Sequence, residues 1–155
     1  AKAAGIPAFE ILRSSYGSKA EFESAIIACL NSHEVDFVVL AGYMRIVSAA
    51  FVQKFSNRIL NIHPALLPSF TGLHAQQQAI DYGAKISGCT VHFVDEGMDT
   101  GPIIAQRAVK VEAEDTADTL ADRILVQEHL LYSEVIEMLA QGRIKVEGRK
   151  VALLD

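Results

Sequence analysis

Apolar and polar residues along this chain repeat with two periods, one helix-like and one strand-like, in alternating segments. From Ser18 to about Asn31, apolar Phe22, Ile26, Ile27 and Leu30 recur on one side, which predicts a helix headed by Ser18. Phe37-Val38-Val39-Leu40 is a continuous apolar run, the pattern of a central strand covered on both faces. Ser48 heads a second predicted helix to about Lys54, and Arg58-Ile59-Leu60-Asn61-Ile62-His63 reads as a short buried strand. A proline-containing loop over 64–72 leads to a helix from about His74 to Tyr82 that ends near Gly83. Residues 86–94 form another predicted strand, and 103 to about 111 is extended. Asp115 or Thr116 then caps the longest helix, which runs to about Gln141 and stops at Gly142. Residues 144–146 and 151–153, joined around Gly148, predict a terminal hairpin. This alternation implies βαβ units: an α/β fold in three layers, a mostly parallel twisted sheet with helices on both faces. No repeat, low-complexity tract or linker divides the chain, so one domain over 1–155 is expected.

Composition narrows the functional classes. At 155 residues and 50% hydrophobic, the chain can bury a real core. A net charge of -5 without any basic cluster argues against a nucleic-acid partner. No apolar run approaches the roughly 18 residues of a membrane span, so no membrane partner is expected. Cys29 and Cys89 sit in apolar surroundings and form no close pair, as in reduced core positions of a cytoplasmic protein. Neither HExxH nor paired-ligand spacing occurs among the histidines, so no metal site is expected.

Candidate chemistry concentrates in Asn61-Ile62-His63-Pro64 and in Asp95-Glu96-Gly97-Met98-Asp99-Thr100-Gly101-Pro102. Alternation along a strand points Asn61 and His63 to one face, about 7 Å apart at two residues' rise. Pro64 ends the strand, which places the pair at a strand's carboxyl end, where open α/β sheets form their crevices. An amide donor, an imidazole and a nearby Asp99 carboxylate can polarise a carbonyl and deliver a proton.

The run from Asn61 through Pro64-Ala65-Leu66-Leu67-Pro68 to Gly72-Leu73-His74 resembles the phosphoribosylglycinamide formyltransferases. So do Gly88-Cys89-Thr90-Val91-His92-Phe93-Val94, the Asp99 loop, Ala41-Gly42-Tyr43-Met44-Arg45-Ile46 and Gln127-Glu128-His129, in the family's order. The resemblance implies a Rossmann-like formyltransferase fold and small-molecule substrates. A formyl group would pass from 10-formyltetrahydrofolate to the amine of glycinamide ribonucleotide, a step of purine biosynthesis. It makes Asn61, His63 and Asp99 catalytic: Asn61 and His63 hold the oxyanion, and His63, tuned by Asp99, gives the proton. It assigns folate binding to Lys19, Met44, Arg45, Ile46, Val47, Asn61, Asp95, Glu96, Met98 and Asp99, with Lys19 at the glutamate tail. Ile62, Pro64 and Glu128 fall to the ribonucleotide, and His92 and His74 support the site from behind or at its mouth. A cis peptide at Leu67-Pro68 also follows from the family.

The strand and Gly-Ser-Asn-type loop that open the family's members have no counterpart here, and Ala1-Lys2-Ala3-Ala4-Gly5 reads as the last turn of a helix. The chain is thus expected to be N-terminally truncated, and by itself to hold folate without the anchor for the ribonucleotide phosphate. Three other readings share part of the pattern. They are 10-formyltetrahydrofolate hydrolase, methionyl-tRNA formyltransferase and a non-catalytic folate-binding fragment. His63-Pro64, Gly72-Leu73-His74 and Glu128 favour the ribonucleotide enzyme over the first two. The oligomeric state is not readable from the sequence.

Overall fold

A reciprocal cap starts the first long helix of the computed structural model, which describes residues 1–154. The Ser18 hydroxyl accepts from the Glu21 N–H, and the Glu21 carboxylate accepts from the Ser18 N–H, a capping box that fixes the start of α1 (Lys19–Ser32). α1 belongs to the first of two compact units, which divide after Asp36. That unit opens with a 3₁₀ turn, Lys2–Ala4, closed by Gly5 at φ 70, the stop signal expected there. A second 3₁₀ turn, Arg13–Ser15, precedes the α1 cap.

The second unit contains β1 (Val38–Val39), α2 (Ala49–Lys54), β2 (Ile59–His63) and α3 (Ala75–Tyr82). These are followed by β3 (Ile86–Phe93), β4 (Ile103–Lys110), α4 (Ala117–Ala140), β5 (Ile144–Glu147) and β6 (Lys150–Leu153). Ser48 and Thr116 cap α2 and α4, as their positions predict. Four strands join in the order β1-β2-β3-β4, and β5 and β6 form the expected hairpin. The α/β class stands. Parallel pairing, however, is confined among the described strands to β1–β2; β2–β3 and β3–β4 are antiparallel. The loop 94–102 between β3 and β4 is too short for the crossover that parallel strands require. The predicted four-residue central strand is only two residues long, and Val39 is 39% exposed, because β1 is the edge of the described sheet.

Strand register assigns the two sheet faces different work. Leu60 lies opposite Phe93 and Ile62 opposite Val91. Leu60, Phe93 and Val91 pack with Leu120, Ile124, Leu131 and Val135 of α4 in one core, and Ile62 packs against it. The alternate positions, Asn61 opposite His92 and His63 opposite Thr90, face away from that helix. The hydrophobic face therefore seals the sheet while the opposite face keeps its polar side chains for a site. Tyr132 of α4 secures the strand ends: its hydroxyl proton has the Leu40 and Leu60 carbonyls within reach, at 2.8 and 3.0 Å.

The loop after β2 is bolted to the polar face by Thr90, which is fully buried. Its hydroxyl donates to the Ala65 carbonyl at 2.6 Å and accepts from the Leu67 N–H and the Gln106 amide. Leu67-Pro68 in this loop is cis, as the resemblance implies. Thr90→Val keeps the side-chain shape but strands a buried N–H and a buried carbonyl. We expect a loss of about 2–3 kcal/mol in urea unfolding. A loss below about 0.5 kcal/mol would show that water replaces the hydroxyl.

No helix among the described residues is long and apolar enough to cross a membrane. Both cysteines are free.

Candidate active site

His63 closes β2 with its ring 4% exposed and both nitrogens engaged. Nε2 lies 2.8 Å from the Phe70 carbonyl oxygen. A carbonyl only accepts, so Nε2 carries a proton. Nδ1 faces the Asp99 carboxylate, 3.4 Å from Oδ2. Any exchangeable second proton of the ring therefore sits at Nδ1.

Asp99 is held from several directions. Its backbone is left-handed, φ 55, a conformation that suits Asp better than most residues but still needs support. Its Oδ2 accepts from the Gly72 N–H at 2.7 Å. Gly72 itself has φ 77, and a Cβ there would press on the Met98 sulfur. The loop 95–101 is closed internally by Asp95, whose Oδ1 accepts from the Gly97 N–H and the Thr100 hydroxyl. From α2, the Gln53 amide donates to Glu96.

His92, only 2% exposed, links the remaining members. Burial pushes its pKa down, outweighing the pull of the Phe93 carbonyl and Asp99. Its Nδ1 lies 2.9 Å from the Phe93 carbonyl oxygen and so carries the proton of the neutral ring. The lone pair on Nε2 then accepts from the Asn61 amide nitrogen, 3.4 Å away, which fixes which end of the Asn61 amide points to His92. A His whose folded pKa lies below its unfolded value stabilises the fold fully above the unfolded pKa. That stability is lost as pH falls below about 6.5, where the unfolded chain binds the proton more readily. The melting temperature should therefore drop on acidification from about pH 6.5, and His92→Gln should flatten that slope. Identical pH slopes in both proteins would remove His92 as the cause.

These side chains line a cleft of about 580 Å³, within the range of small-molecule sites. Its other walls include Met44, Arg45, Ile46, Val47, Ile62, Pro64, His74, Asp95 and Met98. Met44 and Ile46 are 77% and 57% exposed, apolar surface available to a flat ring. His74 stands at φ 58 at the head of α3. Glu96 and Glu128 are not among the residues lining this cleft. The Glu96 carboxylate turns to Gln53. Lys19 is in the first unit, 3.7 Å from Glu23. Glu128, half-buried on α4, is outside the cleft lining, although His63 contributes to its electrostatic field. Burial pushes the Glu128 pKa up, and His129 and His63 oppose that rise. Two contributors escaped the sequence reading, the Gly72 N–H and the Phe70 carbonyl. Both are backbone groups, which any residue type supplies, so only the glycine in Thr71-Gly72-Leu73 hinted at either.

Residues 1–136 match the family model described as "Formyl transferase". The chain belongs to the formyl transferase family. Within that family it is similar to the phosphoribosylglycinamide formyltransferase of Bacillus subtilis, 50% identical over 90% of this chain and 71% of that protein. It is also 45% identical to the human trifunctional purine biosynthetic protein adenosine-3, over 94% of this chain but only 14% of that much longer polypeptide. The solved structure of glycinamide ribonucleotide transformylase 1 from Symbiobacterium toebii superposes with a TM-score of 0.95 at 49% identity. It covers 99% of this chain and 73% of that one.

Proposed function

We propose that this chain carries the folate-binding and catalytic site of a phosphoribosylglycinamide formyltransferase, moving a formyl group from 10-formyltetrahydrofolate to the amine of glycinamide ribonucleotide in the cytoplasm. The observation that carries the reading is the His63 Nδ1–Asp99 pair at 3.4 Å, beside the Asn61 amide in one cleft. The pterin lies against Met44, Arg45, Ile46 and Val47 and the loop 95–101, while Ile62, Pro64 and Glu128 serve the ribonucleotide. Lys19, exposed on α1, supplies a positive charge for the folate's acidic tail.

The amine nitrogen attacks the formyl carbon and forms a C–N bond, and the formyl oxygen becomes an oxyanion. The free N–H of Asn61 and the protonated Nδ1 of His63 donate to that oxygen, where fixed donors act without reorganisation. The bond between the formyl carbon and N10 then breaks, with the proton from Nδ1 going to N10. The proton lost by the amine leaves through a water held by Asp99 and returns to His63. No covalent enzyme intermediate is needed. Because one N–H of the Asn61 amide is spent on His92, the direction of the second N–H on the same nitrogen is set before substrate arrives.

Isothermal titration with a non-reactive folate analogue and, separately, with glycinamide ribonucleotide tests this reading. The analogue should bind, and Met44→Asp should weaken it about tenfold or more by placing a charge against the ring. Absence of any folate binding would overturn the proposal.

A further inference from the structure

The loop bearing Asp99 is also gripped from outside by a part of the chain beyond the family match. The β5–β6 hairpin follows residue 136, the last residue that the family model covers. It is a firm platform. Val146 and Val151 pack against the core, and Leu154 and Arg143 exchange a backbone bond at 2.8 Å and a side-chain bond at 2.9 Å. Gly148, at φ 60, turns the hairpin, and the next residue, Arg149, donates from Nη1 to the Thr100 carbonyl oxygen at 2.7 Å. That carbonyl belongs to the residue directly after Asp99.

We propose that Arg149 is a positioning residue for the formyl-transfer step, holding the Thr100–Gly101 peptide and through it the carboxylate of Asp99; this rests on the role given to Asp99 above. The physical case is one of over-determination. A left-handed Asp99 backbone relaxes toward commoner conformations unless its neighbours hold the loop on both sides of it. On the amino side the Asp95 turn does so through Gly97. On the carboxyl side Thr100 is tied by its hydroxyl to Asp95 and by its carbonyl to Arg149. A guanidinium donor to a carbonyl is a charge-assisted bond, stronger than a neutral one. Arg149 is exposed and contributes little to the core, so its loss should loosen the loop rather than unfold the protein.

The test uses the full polypeptide that carries these residues, with Arg149→Ala and Arg149→Lys, and two independent readouts. Amide hydrogen exchange over residues 95–101 should accelerate about tenfold in the alanine variant, with exchange in β2 and β3 unchanged. Turnover should fall about five- to tenfold, with KM for the folate donor within about twofold of the parent. Lysine, whose ammonium can still donate to the carbonyl, should recover much of both. Unchanged exchange and unchanged kcat in Arg149→Ala would overturn the inference while leaving the catalytic reading intact. A drop in kcat accompanied by general loss of stability would overturn it as well. A parent with no formyl transfer would instead refute the role of Asp99, and the exchange data would still report whether Arg149 holds the loop.

Discussion

Asp99→Asn should reduce formyl transfer by roughly 10²–10⁴-fold in the full polypeptide that carries this site, while affinity for a folate analogue changes by no more than about threefold. The substitution isolates charge from shape. Asparagine tolerates the left-handed backbone that Asp99 adopts, so the loop should keep its course. The oxygen that accepts from the Gly72 N–H, Oδ2, is also the one facing Nδ1 of His63, so an amide oxygen there keeps both contacts while the negative charge is lost and the NH₂ group takes the place of Oδ1 beside His92. Without the carboxylate charge beside it, a second proton on the ring loses its electrostatic partner. Since Nε2 is committed as a donor to the Phe70 carbonyl, the ring stays neutral with no proton on the cleft side. Both the oxyanion donor and the leaving-group acid are lost together. Stopped-flow transfer kinetics beside calorimetric binding would measure the split. A variant keeping more than about a tenth of parental turnover would show that the carboxylate is not needed.

The second large effect is expected at Gly101→Ala, a destabilisation of more than about 3 kcal/mol. Gly101 is buried where the loop rejoins β4, and a Cβ there would sit on the Phe93 carbonyl oxygen. Backbone cannot swing aside as a side chain can, and the adjacent Phe93 N–H to Pro102 carbonyl bond closes the same corner. Relief would have to come from moving the loop, which carries Asp99 with it. Gly148→Ala is the useful contrast. Its φ of 60 strains an alanine, but nothing lies within 4 Å of the added methyl, so about 1–2 kcal/mol is expected. Urea unfolding of both variants decides the matter. Equal losses at the two sites would mean that the close approach at Gly101 is not the constraint.

Much of this was legible because the relevant forces are local. Ser18, Ser48 and Thr116 announce their helices by a side-chain acceptor ahead of an apolar period, and all three form the predicted caps. Asn61 and His63 declare a shared face through strand alternation, and the register with His92 and Thr90 places both on the side away from α4. What was not legible depends on distant partners. Nothing in Val38 and Val39 says that among the described strands they border β2 alone, and nothing within β3 says that both its neighbours run antiparallel to it. The Phe70 carbonyl and the Gly72 N–H have no residue-type signature. Arg149 looks like any charged turn residue until the hairpin is set beside the Asp99 loop. Glu96, read with its acidic neighbours as part of the folate loop, is drawn to Gln53 across 43 positions of sequence.

The most direct test of the central claim follows the fate of the formyl carbon. The full polypeptide that carries this segment would be supplied with 10-formyltetrahydrofolate labelled with ¹³C in the formyl group, and with glycinamide ribonucleotide, and the products resolved by NMR. The account predicts that the label appears as an amide on the ribonucleotide, that little formate forms without the amine substrate, and that His63→Gln and Asp99→Asn suppress the transfer. Label released as formate at a rate indifferent to the ribonucleotide, or amide formation untouched by both substitutions, would contradict it.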